Sequence, residues 1–167
     1  MKTFYIARHA KSSWEDFSLP DHERPLLLKG RRKTRLVAQK LKETGNVPGL
    51  IISSSAKRAR QTAEILAEVF AYPGEKIVIN KALYLASDDR MLEQLYGIDN
   101  MVDSVMIVAH NPGLTDLVNN FTKDYIANLP TSGVAKVVFD TDRWEDIDTA
   151  KHHLEFILTP KMLGDSG

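Results

Sequence analysis

The segment SVMIVAHNPG, residues 104–113, decides how this chain folds. Ser104 to Ala109 is its most strand-like run, short and apolar in the manner of a strand buried on both faces of a sheet. It ends at His110, and Asn111 with Pro112 then reads as a helix start, Asn at the cap and Pro in the first helical position, with a helix expected to about Phe121. A buried strand running straight into a helix is the unit of a parallel α/β sheet.

The same cadence recurs on both sides. Thr3 to Ala7 is β-prone and gives way to a polar turn at Arg8-His9. Lys29 to Glu43 carries Val37, Ala38 and Leu41 at helical spacing, with Gly45 as a stop. Leu50 to Ile52 is a second buried-type strand. After three serines, Ala56 to Phe70 reads as a helix with an apolar stripe of Ala59, Ala63, Leu66, Ala67 and Phe70. A third strand is expected over Lys76 to Ile79, and a helix over Asp88 to Tyr96 with Met91, Leu92 and Leu95 inward. Val134 to Phe139 and His153 to Leu158 read as two last strands paired across a polar turn. Crossovers of this length imply an α/β/α sandwich, three layers around a mostly parallel central sheet, in a single domain over residues 1–167.

Composition narrows the function. The chain has 22 Lys plus Arg against 22 Asp plus Glu, so it lacks the basic excess of a dedicated nucleic-acid binder. No run approaches the ~18 apolar residues of a membrane span, and the N-terminus lacks a signal-peptide core, so a cytoplasmic location and no membrane partner are expected. With no cysteine, thiolate nucleophiles, disulfides and cysteine-ligated metals drop out together. The five histidines then carry more weight.

Three polar clusters follow strand ends: Arg8-His9, Lys57-Arg58 and His110. In a parallel sheet, ligands bind beyond the carboxyl ends of the strands, so these clusters should meet at one edge. Arginines and histidines together there describe an anion site, and phosphate is the expected anion because guanidinium groups grip its oxygens in pairs. The isolated readings are blander: His9 as a loop histidine, Arg58 as a solvated helix charge. Ser12 and Glu15 stand between site wall and surface, while His22, His152 and His153 read as surface or sheet-edge residues. KGRRKTR, residues 29–35, reads as a solvated helix start rather than a nucleic-acid contact, with a basic rim for an anionic substrate as its other use.

The motifs carry a resemblance. Arg8-His9-Ala10 within RHAKSSW resembles the Arg-His-Gly signature of the histidine phosphatase superfamily, which includes phosphoglycerate mutases and acid phosphatases. DHERPLLLKG, SSSAKRARQTAEIL and VAHNPG resemble its following elements in order, and ERPLLLKG with LYLAS is most similar to the SixA-type phosphohistidine phosphatase branch. The resemblance implies a phosphoglycerate mutase-like fold without a large cap insertion. It further implies a metal-independent phosphatase with no cofactor, in which His9 is the nucleophile and Arg8, Arg58 and His110 hold the phosphoryl oxygens. The partner would be a phosphorylated protein or a small phosphorylated substrate.

Two departures from the family pattern matter. Ala10 stands where Gly is usual, and ALYLAS, residues 82–87, lacks the Glu that many relatives use as general acid. Since such an acid is worth about 10²–10⁴-fold, its absence favours a leaving group that departs unaided, such as the imidazole of phosphohistidine. Asp88, Asp89, Glu15 and Asp16 are the nearby candidates for a substitute acid, Asp88 first. A small-molecule phosphomonoesterase is the alternative enzyme, and a weakly catalytic phosphohistidine-binding module the reading from another class.

Overall fold

In the computed structural model, which describes residues 1–164, six strands form one sheet in the order β3-β2-β4-β1-β5-β6. The strands are β1 (Lys2–Arg8), β2 (Leu50–Ser54), β3 (Val78–Asn80), β4 (Ser104–Ala109), β5 (Val134–Phe139) and β6 (His152–Leu158). The helices are α1 (Leu28–Glu43), α2 (Lys57–Phe70), α3 (Asp88–Glu93) and α4 (Gly113–Asn119). The first four strands are mutually parallel, while β5 runs antiparallel to β1 and β6 antiparallel to β5.

Burial explains the layers. Along β1, Phe4 and Ile6 point into one core with Val105, Ile107, Leu114, Leu117 and Trp144. Tyr5 and Ala7 point into the other with Val37, Leu41, Ala63, Leu66, Met106 and Val108. The period-two alternation of a strand therefore buries both faces, with α1 and α2 over one and α4 over the other. This is the expected three-layer sandwich.

Several boundaries differ from the sequence reading, among them β2, which runs on to Ser54, and α4, which ends at Asn119. β3 begins two residues late, because Gly74–Lys76 forms a 3₁₀ turn first. α3 ends at Glu93 rather than Tyr96; Leu95 N–H donates to Leu92 O at 2.9 Å, so a tighter turn carries the apolar pattern onward and buries Leu95, with Leu92 only partly covered. α4 begins at Gly113 with Pro112 in the cap position, although Asn111 Oδ1 still accepts from Thr115 N–H at 3.1 Å. At Gly113 the backbone passes so close to ALYLAS that an added Cβ would collide with Ala86 O and lie 2.8 Å from Met91 Cε.

That contact yields a stability prediction. Gly113→Ala should cost about 1–3 kcal/mol, the usual penalty for overpacking a site that cannot yield. Gly74→Ala, with nothing within 4 Å of its added Cβ, should stay within about 0.5 kcal/mol. Urea unfolding of the two variants checks this, and equal stabilities would contradict the close approach.

Candidate active site

Strand register brings the polar clusters together. Arg8 pairs with Ala109 across β1 and β4, and Ser53 with Val108 across β2 and β4. The next residues, His9, His110 and Ser54, therefore emerge side by side, with the two imidazole centroids 5.1 Å apart. From the other flank, Ser132 N–H donates to His9 O at 3.2 Å and Arg8 N–H to Gly133 O at 3.0 Å. The Gln-Thr element of α2 acts as a tie: Thr62 Oγ1 accepts from Ala10 N–H at 2.9 Å, and Gln61 Oε1 from Leu26 N–H at 3.0 Å.

Each histidine is held by one nitrogen. His9 Nδ1 lies 2.7 Å from Ala10 O, and since a carbonyl only accepts, Nδ1 carries the proton and Nε2 keeps a free lone pair. Burial lowers the His9 pKa to about 4; the Ala10 bond opposes this and the Arg58, Arg8 and Arg24 charges reinforce it. His110 Nε2 lies 2.7 Å from Ser54 Oγ, which also accepts from Ala56 N–H at 3.2 Å. Among the described residues the Ser54 hydroxyl has no other acceptor, so its proton is placed to go to Nε2, which leaves the His110 proton on Nδ1. Burial lowers the His110 pKa to about 3, helped by His9 and Arg58. Both rings are neutral at pH 7.

The donors tell the same story. Arg8 Nη1 donates to Leu129 O at 2.9 Å, and Arg58 donates through Nη1 to Asp21 O at 2.8 Å and through Nη2 to Asp21 Oδ2 at 3.1 Å. Among the described residues, the buried side-chain nitrogens and oxygens without a partner are Arg8 Nε, Arg58 Nε and His110 Nδ1. A buried donor left unpaired costs about 1–3 kcal/mol, and more when charged. All three belong to residues lining one cleft of about 360 Å³, which His9 also lines. Such a set fits an anion with several acceptor oxygens. No group of three or more His, Asp or Glu among the described residues is arranged to hold a metal ion.

The remaining expectations divide. Ser12 lines the cleft and its Oγ accepts from Arg24 at 2.5 Å. Glu15 is exposed and is not part of the cleft lining. Asp88 is corrected as well: its Oδ2 accepts from Asn120 at 2.9 Å, away from the cleft lining, because the start of α3 is turned toward α4. His22, read as a surface or sheet-edge residue, is partly exposed; it packs edge-on to Tyr84 at 4.9 Å and bonds Ser55 Oγ at 2.9 Å, while Tyr84 stands edge-on to His110 at 5.6 Å. His152 and His153 are exposed on β6.

The hub that sequence reasoning missed is Asp21. Its Oδ1 accepts from Arg24 Nε and Nη2 at 3.1 and 3.0 Å, and its Oδ2 from Tyr84 at 2.6 Å and Arg58 at 3.1 Å. Burial would raise its pKa, but the hydrogen bonds from Tyr84 and Arg24 and the charge of Arg58 bring it down to about 2. Arg24 in turn lies 3.6 Å over the Trp14 ring. The sequence signal was slight: an Asp, a His and an Arg just before Pro25.

Comparison with known proteins follows this geometry. Residues 4–83 match the model of the histidine phosphatase superfamily, branch 1. An uncharacterised chloroplast protein of Arabidopsis thaliana is 32% identical over 149 residues, covering 84% of this chain and 68% of that protein. The chain belongs to the histidine phosphatase superfamily. An uncharacterised protein of Mycobacterium tuberculosis is 30% identical over 155 residues, 84% of this chain and 91% of its own. Among solved structures, a protein assigned as the phosphohistidine phosphatase SixA of Agrobacterium tumefaciens superposes with a TM-score of 0.80 at 27% identity, over 95% of this chain and 98% of that one. The protein histidine phosphatase SixA complexed with tungstate gives 0.82 at 23% identity, over 96% and 99%, and shares the fold.

The tautomer assignment for this superfamily member is testable. Nitrogen NMR of the resting protein should show the His110 proton on Nδ1, and Ser54→Ala should mix the tautomers and weaken orthophosphate binding about three- to tenfold, the worth of one hydrogen bond. A His110 proton already on Nε2 in the unsubstituted protein would contradict the assignment.

Proposed function

We propose that this chain is a metal-independent phosphohydrolase that works through a covalent phosphohistidine on His9, and that its substrate is phosphohistidine on a protein. The observation that carries the reading is the free Nε2 of His9, set in the same cleft as three partnerless donors. In this scheme the Nε2 lone pair attacks phosphorus in line, an N–P bond forms, and the bond to the leaving group breaks with its electron pair departing on that group. Arg8, Arg58 and His110 Nδ1–H hold the equatorial oxygens as charge shifts among them. Water then attacks the phosphoenzyme, its proton passes to a phosphate oxygen, and His9 leaves with its lone pair restored.

The choice of leaving group rests on what lines the cleft. Among the described residues no carboxylate is part of its lining, and Asp21 beside it, with a pKa of about 2, is ionised and so is no acid at neutral pH. An alkoxide would have to leave unaided, whereas an imidazole protonated on its other nitrogen leaves as a neutral molecule. Access supports a protein side chain, since Trp14 and Leu85, which line the cleft, are 63% and 71% exposed. Residues 1–167 as a single such domain, without a large cap insertion, are part of this proposal.

Two measurements test it. Against a panel of histidine-phosphorylated protein and sugar phosphates, the protein should give the higher kcat/KM, and a wide preference for sugar phosphates would overturn the leaving-group argument. With an acid-stable aryl phosphate, kcat/KM corrected for the substrate's own second ionisation, at about pH 6 or below, should hold from neutrality down and fall only as the pH drops through about 4, where free His9 takes up a proton. An acid limb between pH 6 and 7 that remains after that correction would contradict a buried, neutral His9.

A further inference from the structure

The KGRRKTR run, residues 29–35, takes no part in the chemistry above, yet it opens α1 against the helix dipole. The first turn of α1 holds no acidic residue, and its cap residue Leu27 provides no side-chain acceptor. Cations there cost a helix a few tenths of a kcal/mol each, so local stability does not account for them.

Arg35 pairs with Glu68 at 3.2 Å; for Lys29 the account is its position. Leu27 N–H donates to Lys11 O at 2.9 Å, and at Gly30 an added Cβ would sit 2.7 Å from Lys11 O and 3.0 Å from Lys11 N. The first turn of α1 is therefore pressed onto the backbone of Lys11, which brings Lys29 near enough for the charge of Lys11 to act on it. Lys29 is lowered in pKa, first by the charge of Lys11. Lys11 also lines the cleft, two residues from His9. Neither lysine is paired with an acid among the described residues, in contrast to Arg24 and Arg58, which share Asp21. The cleft lining thus carries the ammonium group of Lys11, with that of Lys29 beside it just outside the lining, while Trp14 and Leu85 make other parts of the lining apolar.

We propose that Lys11 and Lys29 form a second anion subsite, which takes a further negative group, carboxylate or phosphate, on the molecule that presents its phosphoryl group to His9. The subsite rests on the phosphatase reading of the cleft. Its role is selection: a phosphorylated residue flanked by an acidic side chain, or a small molecule with a second phosphate, satisfies the lysine pair, and a neutral neighbour does not.

Equilibrium binding separates this from catalysis. The full chain is titrated calorimetrically with alkylphosphonates, with ω-carboxyalkylphosphonates of the same length, and with methylenediphosphonate against methylphosphonate. A second anion should tighten binding about three- to tenfold at low salt, as expected for two exposed charge contacts, and the gain should shrink as salt rises. Lys11→Gln and Lys29→Gln should each reduce that gain while the monoanionic series changes less. A gain confined to the carboxylates indicates an acidic side chain, and one confined to the diphosphonate a second phosphate; both support the subsite. Equal affinities throughout, or a gain undiminished in both variants, would overturn it and leave the phosphatase reading standing. Failure of every phosphonate to bind would overturn both.

Discussion

The pairing of β1 with β4 is the constraint on which everything else depends. Because Arg8 lies opposite Ala109, two strands about a hundred residues apart in sequence end level, and a histidine follows each. A one-residue slip would turn every side chain of β1 to the other face of the sheet. That is prevented because both faces are buried, Phe4 and Ile6 in one core and Tyr5 and Ala7 in the other. The geometry of the two imidazoles is thus enforced by apolar packing beneath them. Further ties hold the segment after β1 in place: Thr62 grips Ala10, and Ser132 grips His9.

On that platform, burial sets the chemistry. Desolvation disfavours a charged imidazole, and the surrounding guanidinium groups add to the effect, so His9 and His110 stay neutral well below their ordinary range. One imidazole then offers a lone pair and the other a proton, from the same side-chain type, because their second nitrogens meet a carbonyl and a hydroxyl respectively. Asp21 balances the cations without joining the cleft lining. It holds Arg24 and Arg58 from one carboxylate and leaves Arg58 Nε unpartnered.

The strands and the meeting of Arg8, His9, Arg58 and His110 were legible in sequence because they depend on local signals: an apolar run, a polar stop, a helix start. Asp21, Arg24 and Tyr84 were not, since the hub they form with Arg58 links positions without periodicity, and only the folded chain brings them within hydrogen-bonding reach. Asp88 shows the converse. Proximity to ALYLAS suggested a substitute acid, but the first turn of α3 turns that carboxylate to Asn120. The end of α3 was misread because apolar spacing at Met91, Leu92 and Leu95 suits a helix and a following 3₁₀ turn equally.

The central claim is that His9 accepts the phosphoryl group at Nε2, and rapid acid-free quenching during turnover, followed by intact-mass and phosphorus NMR analysis, tests it most directly. The account predicts a base-stable, acid-labile phosphoryl group on Nε2 of His9 that is absent from His9→Ala. A phosphoryl group that persists in His9→Ala, or one carried on Nδ1, would contradict it.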